Sequence, residues 1–326
     1  MLLAGCATPP QTRLLEAHPP PFLGPEEQVL PVPFVAQEAY QCGPAALAMV
    51  LAQRGRQVDP ASLVEEVYLP ARHGSLQPEL LAAVRRRQLL PLPVEPRLEA
   101  LIHWVASGRP VLVLQNLGLA WYPRWHYAVV VGFDGARREL LLHSGRTPRY
   151  RISWATFERT WARAGYWGFV VLEPGERPLA TDPEGYLRAA AALEKVAPEV
   201  DRVALWEAAA AVWPERPEFA FLYATALAES GHRQAAEARL RALLERHPDF
   251  LPAWNNLAHL LLARGDAAGA AALARRGLAL AGGRHPVLER TLAEALAASS
   301  RPSTSGAGAP AESGSAPPAP ASRTAP

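Results

Sequence analysis

Two of the 326 residues are cysteines, and Cys42 stands in the run Gln37-Glu38-Ala39-Tyr40-Gln41-Cys42-Gly43-Pro44. Pro44 suits the first turn of a helix, so the thiol sits where a helix opens. There the helix dipole and unpaired backbone N–H groups favour the thiolate. Downstream, His126 opens the apolar run Tyr127-Ala128-Val129-Val130-Val131, which places an imidazole at a strand mouth, able to serve as base. Cysteine acyl transfer needs a nucleophile, a base, a group that orients the base, and donors for the oxyanion. Gly43 allows close backbone approach and offers an N–H. Gln37 offers a side-chain amide as a second donor, and Gln41, adjacent to the thiol, is the alternative. The bland reading of Cys42 is a small buried core residue, where free cysteines most often sit.

Several elements must position these groups. Pro44 and Gly55 frame a helix over 44–54, with Leu47, Val50 and Leu51 at helical spacing. Asp59-Pro60 starts a second helix, Ser75 precedes a third over about 76–87, and Leu98 to Ser107 forms a fourth. Strands follow at 111–114, 127–133, 139–143 and 167–172, with Asp134-Gly135 as a turn. Ser153 caps a short helix with Trp154, Phe157 and Trp161 on its apolar side. Helices first and mostly sequential strands later indicate an α+β domain over 31–175. Residues 7–30 are Pro-rich with little periodicity and read as a linker.

The second half has an internal period. Pro214 and Pro248 are 34 residues apart, as are Gly231 and Gly265, Pro183 and Pro217, and Leu193, Leu227 and Leu261. A 34-residue helix–turn–helix period is the tetratricopeptide signature. It predicts an all-α repeat domain over 181–298, with units at 183–216, 217–250 and 251–284 and a closing helix from Leu288 to Leu296. The competing reading is an ordinary helical bundle. Residues 299–326 are mostly Ser, Pro, Ala and Gly, a composition expected to stay disordered.

The net charge of +2 argues against a generally basic nucleic-acid binder, and Lys195 is the only lysine. No stretch is long and apolar enough to span a membrane. His73 and His103 lack a Cys or acidic partner at metal-ligand spacing, and Gly282-Gly283 suits a helix C-cap, so neither a metal nor a phosphate cofactor is expected. Leu3-Ala4-Gly5-Cys6 resembles the lipobox of bacterial lipoproteins, in which the cysteine becomes the lipidated N-terminus. It implies lipidation at Cys6, a truncated signal over 1–6, and a place in the cell envelope on a periplasmic or exterior membrane face. The alternative is a chance tetrapeptide in an Ala/Leu-rich chain.

Val32-Pro33-Phe34-Val35-Ala36-Gln37 running into Cys42-Gly43-Pro44-Ala45-Ala46-Leu47, together with Trp125-His126-Tyr127-Ala128-Val129-Val130-Val131-Gly132-Phe133, resembles the papain-like, bacteriocin-processing family of cysteine peptidases. These cut leader peptides after a double glycine. The resemblance covers roughly 31–175. It implies Cys42 as nucleophile, His126 as general base and Gln37 in the oxyanion hole. At the end of the next strand the family places an aspartate, often followed by proline. Here Leu142-His143-Ser144-Gly145 stands there, which puts Ser144 in the third catalytic position, with His143 and Asn116 as alternatives.

Trp121, Tyr122 and Trp125 either line a groove for an extended peptide or pack into the core. The function expected is an exported, lipid-anchored cysteine peptidase acting through a Cys42 thioacyl intermediate, with repeats that bind a protein partner or substrate. A non-catalytic peptide-binding lipoprotein on a degenerate fold is the alternative. Amidase or transglutaminase chemistry on cell-wall peptides would use the same Cys-then-His order.

Overall fold

Pro10 opens a helix, α1 (Pro10–Ala17), inside the stretch expected to be a linker. The computed structural model describes residues 7–37, 41–179 and 182–300, so Cys6, the 1–6 signal segment and the tail from 301 lie outside the described residues. What orders α1 is not periodicity but a distant carboxylate. Buried Glu158 accepts the N–H groups of Gln11 (3.0 Å) and Thr12 (2.6 Å) and the Thr12 hydroxyl (2.6 Å). An anion at a helix N-terminus satisfies both unpaired amides and the dipole. β1 (Glu27–Val29) then pairs with a central strand, so 7–30 is part of the domain rather than a linker.

Next come α2 (Cys42–Gln53) and α3 (Pro60–Val67), the latter capped by Asp59 through the Ala61 N–H at 3.1 Å. β2 (Tyr68–Leu69) pairs with β3 (Gly74–Ser75), so Ser75 is a strand residue and Leu76 precedes α4 (Gln77–Arg85). β4 (Leu90–Pro93), α5 (Leu98–Ala106), β5 (Val111–Asn116), β6 (Trp125–Asp134), β7 (Glu139–Ser144), β8 (Thr147–Ser153), α6 (Trp154–Ala162) and β9 (Gly168–Leu172) complete the α/β part.

The main sheet runs β4-β9-β5-β6-β7-β8, with β1 also on β6, and its pairs are antiparallel. Beside the short β1, β2 and β3, two longer strands escaped the sequence pattern. β4 carries Pro91 and Pro93, which an edge strand tolerates because it need not donate on both sides. β8 is almost wholly exposed and carries Arg149 and Arg151, as outer edges often carry charge, so it lacks an apolar alternation. α2 is buried from Gly43 to Leu51 on every side, not along one stripe. It lies against β5, β6 and β9 with α3 and α4, while α1 joins α5 and α6. β6 is buried without interruption from Tyr127 to Asp134, as a strand covered on both faces must be.

A helical region follows: α7 (Pro183–Val196), α8 (Arg202–Val212), α9 (Pro217–Glu229), α10 (Arg233–Arg246), α11 (Leu251–Ala263), α12 (Ala267–Leu280) and α13 (Pro286–Ser299). The starts of α7, α9 and α11 recur every 34 residues, as do those of α10 and α12. Asp182, Asp201 and Asp266 cap α7, α8 and α12. The chain separates into one unit ending at His247 and another beginning at Pro248, not at the expected boundary near 181. The reason is packing: α7 lies along β4, so the first helices extend the core of the sheet. In that unit Tyr186, Trp206, Trp213 and Phe219 form an aromatic cluster. In the second unit α11, α12 and α13 enclose Trp254, Leu257, Ala274 and Leu288.

Candidate active site

Cys42 is the first residue of α2, as the Cys-Gly-Pro run predicts. The backbone N–H groups of Tyr127, Gly43 and Cys42 itself pull the thiol towards the thiolate. Gly43 is needed for a steric reason. A Cβ there would lie 2.6 Å from the Ser75 Oγ and 2.7 Å from its Cβ, so only glycine lets β3 close over the start of α2. Tyr127 fastens the same corner, its hydroxyl donating to the Ser75 carbonyl at 3.1 Å.

His126 is the second residue of β6, opposite Gln115 of β5. Its Nε2 lies 2.8 Å from the Ser144 Oγ. Strand parity explains the pairing. Val130 stands opposite Leu142 and Val129 opposite His143, so Ser144 falls beside Ala128, on the face that carries His126. His143 is on the other face. It is buried, with Nε2 on the Val32 carbonyl (3.0 Å) and Nδ1 accepting the Arg149 N–H (3.2 Å). Asn116 is equally committed elsewhere. Its Oδ1 accepts the N–H groups of Gly118 and Arg124, each at 2.9 Å. Of the three residues considered for orienting the base, Ser144 alone touches His126.

Gln37 is buried and locked onto the β7–β8 turn. Its N–H donates to the Gly145 carbonyl (2.9 Å), its Oε1 accepts the Gly145 N–H (3.0 Å), and its Nε2 donates to the Tyr127 carbonyl (3.2 Å). The turn, Gly145-Arg146, is a two-residue hairpin with Gly145 at φ +60°, the left-handed first position that favours glycine. One amide N–H of Gln37 remains for the cavity it lines. That cavity, about 730 Å³, brings Gln37, Cys42 and His126 together. No hydrogen bond joins Cys42 to His126. Because Ser144 occupies Nε2, Nδ1 is the ring nitrogen left to take a thiol proton.

Burial pushes the Cys42 thiol above its ordinary range, against the opposing pull of the three amides. Burial also pushes His126 below the usual imidazole range. Both shifts favour the neutral thiol and neutral imidazole over the ion pair, against the pull that the helix start alone would exert. Arg72, His73 and Arg146 line the cavity with no carboxylate among the described lining residues. These basic groups and Ser75 were missed because β3 and the β7–β8 turn reach the cleft from remote parts of the sequence.

Trp121, Tyr122 and Trp125 are all exposed, which excludes the core-packing reading, and of these Trp125 lines the cavity. His103 stacks on Phe22 at 4.2 Å. Among the described residues no group of three or more His, Cys, Asp or Glu could hold a metal ion, and no helix is long and apolar enough to cross a membrane.

Residues 29–168 match the model of the Peptidase_C39 like family, a span that contains Gln37, Cys42, His126 and Ser144. The mixed α/β part of the chain is thus a cysteine-peptidase-like domain, followed by a helical region. Three solved structures resemble it. A putative C39-like peptidase from Bacillus anthracis has 18% identity and a TM-score of 0.39, covering 45% of this chain and 98% of that one. A double glycine motif protease from an AMS/PCAT transporter, in complex with the leader peptide, has 24% identity and a TM-score of 0.36, covering 44% and 94%. The peptidase domain of Streptococcus ComA, a bi-functional ABC transporter involved in a quorum sensing pathway, has 19% identity and a TM-score of 0.35, covering 43% and 96%. No curated protein matches the chain in sequence.

Proposed function

We propose that this chain is a cysteine peptidase. The Cys42 sulfur attacks the scissile carbonyl as His126 Nδ1 takes the thiol proton. The Gln37 amide and the N–H groups at the start of α2 hold the oxyanion. His126 then protonates the leaving amine, and water cleaves the thioester. Ser144 is the positioning residue, holding the ring through Nε2. The observation that carries this reading is the convergence of Gln37, Cys42 and His126 on one cavity, within the span that matches a peptidase family.

We read residues 181–298 as tetratricopeptide-type repeats that bind a protein partner or the substrate, supported by helix starts recurring every 34 residues. Lipidation of Cys6 and attachment in the cell envelope complete the proposal, on the strength of the Leu-Ala-Gly-Cys run. A second reading, a peptide-binding protein that does not turn over, is favoured by one feature: among the described residues no carboxylate bonds to His126, whose partner is a serine hydroxyl.

Incubation of the purified chain with a peptide panel that includes double-glycine sequences separates the two. The peptidase reading expects new termini with the native chain and none with Cys42→Ala. Identical products from both, or peptides bound but left intact, would overturn it.

A further inference from the structure

Five large apolar side chains stand exposed on the connection from β5 to β6: Leu117, Leu119, Trp121, Tyr122 and Trp125. Trp121 is 81% exposed and Tyr122 67%. The segment is braced, not loose. Buried Asn116 accepts from Gly118 and Arg124 at its base and donates to the Leu119 carbonyl at 3.4 Å. Leu119 and Tyr122 exchange backbone hydrogen bonds at 3.1 and 3.2 Å. The fold thus holds a rigid aromatic tip out into solvent, and a contiguous exposed apolar group of this kind marks a surface that something covers.

The surroundings indicate what covers it. Residues 117–125 contain no carboxylate, and Arg124 flanks the tip. Arg163 of the α6 C-terminus donates to the Asn116 carbonyl at 2.9 Å, fixing the hairpin base. One turn earlier, Arg159 donates to the Ala7 carbonyl at 3.0 Å. Residues four apart on a helix are roughly 6 Å apart along its axis. Ala7 and the base of the aromatic hairpin are thus held by arginines one turn apart on α6. Glu158, the acid on this side of α6, is taken up by the amides of α1. The result is Trp, Tyr and Leu side chains framed by Arg124, Arg159 and Arg163. That is the chemistry of a bilayer interface: aromatic rings sit at headgroup depth, and arginines meet anionic phosphates.

We propose that the 117–125 hairpin and the α6 arginines dock this domain onto the surface of a bilayer that contains anionic phospholipid. The contact does not depend on Cys6 acylation or on peptidase activity. It is separate from the lipid-anchor reading and would add to it. The hairpin would bring the edge of the cleft at Trp125 close to the lipid surface.

The test uses the full chain as Cys6→Ser, which cannot be acylated, sedimented with vesicles of phosphatidylcholine alone or mixed with phosphatidylglycerol. Binding to the mixed vesicles should exceed binding to the neutral ones. Trp121→Ala should weaken it by about tenfold, the equivalent of one large side chain leaving an apolar environment. Arg124→Gln should weaken it about fivefold and flatten its salt dependence. Urea midpoints of these variants at exposed positions should match the parent. Absence of binding to either vesicle, or equal binding by the parent and Trp121→Ala, would overturn the proposal. So would a hairpin variant that loses peptide cleavage while keeping vesicle binding, which would make the tip a substrate platform.

Discussion

Replacing Ser144 with aspartate should make Cys42 more reactive near and below neutral pH. Ser144 Oγ lies 2.8 Å from His126 Nε2, so a carboxylate at this position would face the imidazole directly. With charge centres about 4 Å apart and an effective permittivity near 20, the attraction for an imidazolium is about 4 kcal/mol. Desolvation of the new carboxylate cancels a large part of this. A net gain of about 1.4 kcal/mol would enrich the thiolate–imidazolium pair about tenfold, and the alkylation rate with it. Ser144→Ala should act in the opposite direction. It removes one neutral hydrogen bond, worth about 1 kcal/mol, and with it the orientation of the ring. The assay is iodoacetamide alkylation from about pH 5 to pH 9, with peptide mapping to separate Cys42 from Cys6. The native chain should react slowly near neutrality and accelerate only in alkaline solution, since burial raises the thiol. The argument fails if Ser144→Asp follows the native profile at every pH, or if its gain survives in the Ser144→Asp/His126→Ala double variant.

Gly43→Ala should destabilise the domain by about 1–3 kcal/mol, the usual cost of forcing atoms into a packed site. Its Cβ would meet the Ser75 Oγ at 2.6 Å. Urea unfolding should show the loss and its recovery on adding Ser75→Gly, and an unchanged midpoint for Gly43→Ala would contradict the packing argument. Acid should weaken the fold through His143, whose buried ring is held below the ordinary imidazole range by desolvation. The unfolded chain then binds a proton that the folded chain refuses. Stability is complete above about pH 6.5 and falls as pH drops below it. The urea midpoint should decline from neutral to mildly acidic pH, less so in His143→Gln; a flat native profile would exclude this role.

Much of the α/β fold was legible because local chemistry and tertiary packing agree. Asp59-Pro60 opens α3 and Ser153 caps α6, each by the hydrogen bond its type predicts. The apolar runs of β5, β6 and β9 are buried on both sides. The rest failed where the cause lies far along the chain. α1 depends on Glu158, well over a hundred residues away. β4 hides behind two prolines and β8 behind its arginines. In the site, the helix-start cysteine, the strand-mouth histidine and the upstream glutamine reach one cavity. The choice among Ser144, His143 and Asn116 could not be made from spacing. It depends on the register of β7 against β6, including the irregularity between Val130 and Gly132.

The protonation states of the cleft connect its architecture to the chemistry it can perform. A thiol at a helix start is commonly expected to ionise, and here three amides do pull it that way. The same packing that delivers those amides, with α2 set against the sheet and Ser75 pressed on Gly43, leaves Cys42 half-buried and its thiol partly desolvated. Desolvation is the larger effect. Among the described residues no acid bonds to His126 to hold the proton, and the hydroxyl of Ser144 carries no charge. These influences disfavour a resting ion pair, and under the proposed peptidase reading proton transfer would accompany attack on the carbonyl, as it does for a serine nucleophile. In such a mechanism the amides contribute most once negative charge has formed, first on sulfur and then on the substrate oxygen.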